Sequence, residues 1–215
     1  MGQHFKVLYE ETSAELVEKK SRFIAYLKPV NSEEEAAAFI DSIKKKHWDA
    51  RHNCSAVVIG QNNEFSRCSD DGEPSGTAGK PMLEVLLGEQ VHNLAVVVTR
   101  YFGGVLLGTG GLVRAYQGAV KKALAGAAIL EKMEGFEMTI RTDYNGLGKI
   151  QYLAATQDVF IRDIEYAENV VVKAMVEEEK TGAFEKKVTE ATNGRAVIEK
   201  SDKIIYGIHE GCVIL

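Results

Sequence analysis

The sequence predicts an α+β protein of two domains, residues 1–133 and 134–215, and two observations predict it. Residues 136–201 read in the order strand–helix–strand–strand–helix–strand, the ferredoxin-like βαββαβ pattern. Upstream, the near-continuous apolar run Leu94–Thr99 reads as a central strand among segments with helical periodicity, so the first half is also α/β. The boundary near Lys132–Gly135 follows from the self-contained pattern of the second half.

In the first half, Arg22–Lys28 reads as a strand. Ser32 and Glu35 form a capping box, and the helix they start buries Ala36, Phe39, Ile40 and Ile43. Lys44–Lys46 fall in its last turn, where cations suit the helix dipole. Ala56–Ile59 is a short buried strand. Met82–Leu87 is a helix begun by Pro81 and stopped by Gly88. Leu112, Tyr116, Ala119, Val120, Ala123 and Leu124 make a helical stripe. In the second half, Phe136–Thr142 is a strand, Asp143 caps a helix with Leu147, Ile150, Leu153 and Ala154 on its apolar face, and Val159–Tyr166 and Asn169–Glu177 form a hairpin. Thr181 opens a helix carrying Phe184, Val188 and Ala191, which Asn193-Gly194 stops. Arg195–Ser201 is the last strand of the pattern, and Tyr206–Leu215 is a candidate edge strand.

The chain of 215 residues is 45% hydrophobic and 27% charged with only 3 Pro, which excludes extensive disorder. No run of about 18 apolar residues is present, Met1–Glu11 holds no apolar signal core, and Lys6 stands where a myristoylation signal wants Ser or Thr. The three cysteines, Cys54, Cys68 and Cys212, are odd in number and irregularly spaced, which fits reduced thiols and a cytoplasmic protein. Residues 1–133 carry 16 Lys+Arg against 16 Asp+Glu, whereas residues 134–215 carry 10 against 15 and hold the whole net charge of −5. Neither half is a strongly basic nucleic-acid domain, so any such contact needs a local patch.

Two segments carry the candidate chemistry. Residues 67–81 pack Asp70, Asp71 and Glu73 among three glycines and two prolines. These carboxylates are candidate Mg²⁺ ligands or an acid/base pair; the plainer reading is a solvated acidic turn pairing with Arg67 or Lys80. Residues 99–114 run from the buried strand through Gly103, Gly104, Gly108, Gly110 and Gly111 into a helix. Close backbone approach and a free helix start make an anion site suited to phosphate. Lys80, Arg100 and Arg114 are candidate charge-assisted donors, and Tyr101 and Phe102 can stack on a base. The alternative is that the glycines serve only tight packing.

Familiar signatures fail. Gly108-Thr109-Gly110 begins a dinucleotide fingerprint that Val113 breaks, and Gly79-Lys80 begins a P-loop that Pro74 and Pro81 break. Ser75 lacks the leading glycine of a nucleophile elbow, since Glu73 stands there. His47, His52, Cys54 and Cys68 match no zinc spacing. No catalytic residue and no cofactor is assigned.

The segments DDGEPSGTAGKP at 70–81 and VVTRYFGGVLLGTGGLVRAY at 97–116 closely resemble the signature of the IMPACT family, whose bacterial members are called YigZ-like or YvyE-like. Lys20-Ser21-Arg22-Phe23 and Ala50-Arg51-His52-Asn53-Cys54 extend the resemblance over most of residues 18–128. The resemblance implies a first domain like a small-subunit ribosomal protein domain, a fold shared with elongation factor G, and a second like the ferredoxin-shaped domain of that factor. Eukaryotic relatives regulate translation through a partner of the amino-acid-starvation kinase, helped by an extra N-terminal domain. The expectation is a non-enzymatic protein that binds RNA, the ribosome or a translation factor. The alternative is an enzyme on a nucleotide or phosphorylated substrate, with metal at the carboxylate loop. A third reading is a protein-interaction module that docks through the acidic second domain.

Overall fold

The computed structural model describes residues 4–215; residues 1–3, which open the segment read above for a signal core, lie outside it. The protein is a mixed α+β chain that divides into two compact units, Phe5–Leu130 and His4 with Glu131–Leu215. No helix among the described residues is long and apolar enough to cross a membrane.

In the first unit, β1 (Phe5–Leu8), β2 (Thr12–Glu18) and β3 (Ser21–Pro29) precede α1 (Glu33–Lys46). β4 (His52–Ile59) and β5 (Phe65–Ser69) precede α2 (Gly79–Glu89), and β6 (Val91–His92) and β7 (Leu94–Tyr101) precede α3 (Thr109–Ala125). Strands β2-β3-β7-β4-β5 form one antiparallel sheet in that order, and β1 pairs with β6 in parallel. The central strand β7 explains the apolar run. Successive side chains point to opposite faces: Leu94, Val96 and Val98 join Phe23, Leu27 and Val58 in a core with Met82, Leu86, Tyr116 and Val120 of α2 and α3. Ala95 and Val97 join Val57 in a second core with Phe39 and Ile43 of α1. A strand covered on both faces shows no polar alternation.

The second unit follows through β8 (Ile129–Thr142), α4 (Tyr144–Thr156), β9 (Phe160–Tyr166), β10 (Val170–Glu177), α5 (Glu178–Ala191), β11 (Val197–Lys200), β12 (Ile204–His209) and β13 (Cys212–Ile214). Its strands stand in the order β11-β8-β10-β9, each neighbour antiparallel. One face buries Met138, Ile140, Val172 and Ala174 against Ile150 and Ala154 of α4 and Phe184 and Val188 of α5. β8 is long enough to pair with β11 along Met138–Arg141 and with β12 along Lys132–Gly135. The C-terminal segment is thus a hairpin on that strand, with β13 outermost.

Several local expectations hold. The Glu35 N–H donates to Ser32 Oγ at 3.2 Å, while the Glu35 carboxylate accepts from the Asn31 N–H at 2.8 Å, one residue before the cap. Asp143 caps α4 by accepting from the Gly146 N–H at 2.7 Å. Others shift. Gly88 does not stop α2, which continues to Glu89 and ends where Gln90 takes the left-handed conformation. Gly88 lies inside the helix, and the space its side chain would take is open. α5 starts at Glu178 instead of Thr181, and Thr181, already helical, donates its Oγ1 hydroxyl to the Glu177 carbonyl at 2.9 Å. The head of the 67–81 segment is strand: β5 pairs with β4 from Phe65 to Ser69.

Candidate functional site

The carboxylate loop follows β5, and its three acidic side chains go to three different places. The chain wraps around Asp70, whose Oδ1 accepts from the N–H groups of Ala78 and Gly79 at 3.0 and 2.8 Å and whose Oδ2 accepts from Gly76 at 2.8 Å. These donors include the orphan N–H groups of the first turn of α2, whose own cap residue Ala78 has no side-chain acceptor. Burial disfavours the ionised Asp70, but the three backbone donors outweigh it and hold the carboxyl below its ordinary range. Asp71 accepts from the Asn53 N–H and pairs with Lys44 Nζ, both at 2.7 Å. Glu73 turns inward, pairing through Oε1 with Arg100 at 2.7 Å and accepting from the Tyr116 hydroxyl at 2.9 Å.

Among the described residues, no group of three or more His, Cys, Asp or Glu side chains is placed to hold a metal ion. The metal reading of Asp70, Asp71 and Glu73 therefore does not carry into the structure, because each carboxylate is spent on a separate internal partner. The zinc candidates are dispersed likewise. Both ring nitrogens of His47 meet tyrosine hydroxyls, and Cys54 is buried and donates to the Asp70 carbonyl at 2.9 Å, its thiol pushed up to about 12 by burial. Cys68 is exposed on β5.

Asp70 contributes stability with a definite pH dependence. Its folded pKa is depressed, so the contribution is present above the ordinary aspartate range and is lost as pH falls through the folded value. Asp70→Asn is expected to cost about 2 kcal/mol at neutral pH, within the range for hydrogen bonds to charged groups. It should also flatten the acid limb of stability below about pH 4. Urea titrations across that range test both, and an unchanged acid limb would remove Asp70 from the cause.

The second segment builds a groove. In the sheet register His52 of β4 lies opposite Arg100 of β7. Beyond this pair the chain opens a cleft of about 490 Å³ lined by Asp49, Ala50, Arg51, His52, Arg100, Tyr101, Phe102 and Leu106. Phe102 and Leu106 are 56% and 83% exposed, so the groove has an apolar rim facing solvent. Gly103 lets the loop pass against Lys20 and Ser21, donating its N–H to Ser21 Oγ at 3.1 Å. Gly104 and Gly108 take φ of +82° and +71°. Two residues beyond Leu106, Gly108 begins α3 with no side-chain cap, and Gly110 and Gly111 lie in its exposed or half-buried first turn.

The sequence candidates divide across this geometry. Arg100 and Tyr101 line the groove, but Arg100 is only 8% exposed and is committed to Glu73. Its guanidinium lies near the rings of Phe23 and Phe102, 5.5 and 5.6 Å from their centroids. Lys80 and Arg114 are exposed on α2 and α3 and do not line the cleft. Sequence reasoning named Arg51 and His52 only within the motif at 50–54, and His52 as a zinc candidate, without placing them in a groove, and it missed Asp49 and Leu106. The β4–β7 register, which sets His52 opposite Arg100, is what brings that motif to the cleft.

Comparison with known proteins decides the family. The description "Impact N-terminal domain" matches residues 19–124, and "Domain of unknown function (DUF1949)" matches residues 140–195. The chain is 47% identical to IMPACT family member YvyE of Bacillus subtilis over 188 residues, 87% of each protein. The chain belongs to the IMPACT family. It is also 41% identical to IMPACT family member YigZ of Escherichia coli, over 82% of this chain and 87% of that one. A crystal structure of a hypothetical protein, 37% identical, aligns over 91% of this chain and 96% of that chain with a TM-score of 0.59. The IMPACT N-terminal match contains every residue of the groove and of the carboxylate loop.

Proposed function

We propose that this IMPACT-family chain is a non-enzymatic binding protein of the translation apparatus, and that its first unit grips single-stranded RNA in the cleft beyond the start of β4 and the end of β7. The observation that carries the reading is the lining: an exposed cation, Arg51, a half-buried Tyr101 and an exposed Phe102 converge on one open groove. Aromatic faces stack on any base, and cations beside them hold the phosphates. The uncapped start of α3 adds backbone donors for a phosphate two residues from Leu106. Arg114, one turn into the helix, extends the cationic side. The antiparallel order β11-β8-β10-β9 supports the ferredoxin-like reading of the second unit, and with it the elongation-factor-like pair that the family resemblance implies.

Because the first unit has no strong net charge, its affinity should rest on a few phosphate contacts and fade with salt. Sedimentation with ribosomes, and fluorescence anisotropy with a labelled oligoribonucleotide at low and moderate salt, test this. Arg51→Glu and Arg114→Glu are each expected to weaken binding roughly tenfold and to lower the salt slope by about one or more. Unchanged affinity and slope in both variants would discard the groove as the RNA site. Salt-independent association with ribosomes that survives nuclease treatment would point to a protein partner instead.

A further inference from the structure

A chain of four side chains runs behind the groove wall. Tyr26 on β3 meets His47 Nε2 at 2.8 Å, and His47 Nδ1 meets the Tyr101 hydroxyl at 2.9 Å. The Tyr101 hydroxyl in turn donates to Asp49 Oδ1 at 2.9 Å. The direction of every bond follows from the last. An ionised carboxylate only accepts, so the single proton of Tyr101 goes to Asp49 and its oxygen must accept from His47. His47 Nδ1 therefore carries the proton, and Nε2, bare in the neutral ring, accepts from Tyr26. Both ends of the imidazole are used, and Tyr101 and Asp49, at the end of the chain, line the groove itself.

We propose that His47 is the positioning residue of the groove: its Nδ1–H holds the Tyr101 phenol in the wall, and a second ring proton at Nε2 displaces the bond from Tyr26 while leaving that donor in place. The role of the groove rests on the RNA-binding reading above; the coupling of His47 to Tyr101 does not.

The surroundings make the charged ring unwelcome. A second ring proton would sit on Nε2 and point at Tyr26, which must then stop donating. The charged and titratable groups facing His47 are Tyr26 from β3, Tyr101 from β7, Lys46 and Asp49 from either side in sequence, and Arg22 from β3. Lys46 Nζ lies 4.5 Å from the centre of the Tyr26 ring, and the Arg22 guanidinium lies 5.7 Å from that of Tyr101. Burial first, then Lys46, depress the His47 pKa, with Arg22 adding to this and Asp49 opposing it. With a folded pKa below the ordinary histidine value, the bond from Tyr26 to Nε2 is intact at neutral pH and is lost as pH falls through that lower value, whereas the Nδ1–H donor to Tyr101 persists.

The test needs no ligand. Long-range ¹H–¹⁵N correlation of histidine-labelled protein should show the Nδ1–H tautomer for His47 at neutral pH. The ring resonances of Tyr101 should shift along the His47 titration. In His47→Asn, whose amide reproduces the Nδ1 donor without titrating, Tyr101 should keep its neutral-pH signature and lose the pH response. An Nε2–H tautomer, or a Tyr101 ring indifferent to His47 protonation, overturns the proposal. Oligoribonucleotide binding is then measured on the same proteins. His47→Asn should bind as wild type does at neutral pH, and His47→Ala, added to the set to remove the donor to Tyr101, should bind several-fold more weakly. Coupled resonances without any RNA binding would overturn the RNA reading and leave the His47–Tyr101 coupling standing. RNA binding at wild-type affinity in His47→Ala would overturn the positioning role.

Discussion

Replacing Arg100 with Met is expected to destabilise the protein by about 3–5 kcal/mol, the cost of stranding a buried charge. Arg100 and Glu73 have side chains 8% and 3% exposed and meet at 2.7 Å, with the Tyr116 hydroxyl on the same carboxylate oxygen. Without the guanidinium, Glu73 keeps one neutral donor and no cation, with its side chain only 3% exposed. Burial, Cys54 and Glu73 all push the Tyr116 phenol upward, so it stays a neutral donor and cannot replace the lost charge. The measurement is the urea midpoint at unchanged slope. The double substitution Arg100→Met with Glu73→Leu should recover most of the loss, since a buried ion pair exchanged for apolar groups is often close to neutral. A single-variant cost under about 1 kcal/mol would mean that the pair is hydrated in solution. Because Arg100 ties the carboxylate loop to β7 beneath the groove, a loss of RNA binding in this variant reports stability first, which is why Arg51 and Arg114 are the cleaner probes of contact.

Gly103→Ala is expected to cost about 3 kcal/mol, at the upper end for overpacking, and to displace the wall of the groove. A Cβ at this position would lie 2.0 Å from the carbonyl carbon of Lys20, 2.1 Å from its oxygen and 2.4 Å from the Ser21 nitrogen. All three are backbone atoms and Ser21 is fully buried, so no side chain can swing aside. The neighbouring glycine supplies the control. Gly104 has φ of +82° but open space around its missing side chain, so Gly104→Ala should cost only about 1 kcal/mol of conformational strain. Thermal or urea unfolding of the two variants side by side reads the difference. Equal costs would mean that conformation, and not the close approach, is what the glycine pair provides.

These two cases show where the sequence was readable. Local signals carried far: the Ser32–Glu35 box, the Asp143 cap and the Leu112–Leu124 stripe each sit within one helix, and short-range geometry decides them. β2 was missed although Ala14 and Leu16 turn inward while Glu15 and Val17 stay exposed. Its seven residues lie at a sheet edge, where the inward side is only half-buried and the pattern is shallow. Helix ends were misread where a distant group intervenes, as at α2, whose first N–H groups are met by Asp70 across the loop.

What the sequence by itself determined is the family, the mixed α+β class and most of the helices. All of these depend on residues adjacent in the chain or repeated at a fixed period. What only the tertiary structure decided is the use to which the two candidate segments are put. Three neighbouring carboxylates suggested a metal, but left-handed backbone at Asp71 and Gly72 sends them to a helix start, a lysine and a buried arginine. Two arginines suggested paired phosphate contacts, but Arg100 is buried on Glu73, and the cleft holds Arg51 with Tyr101. A side chain's direction is set by its backbone and by partners many residues away, and no count of residue types carries that information.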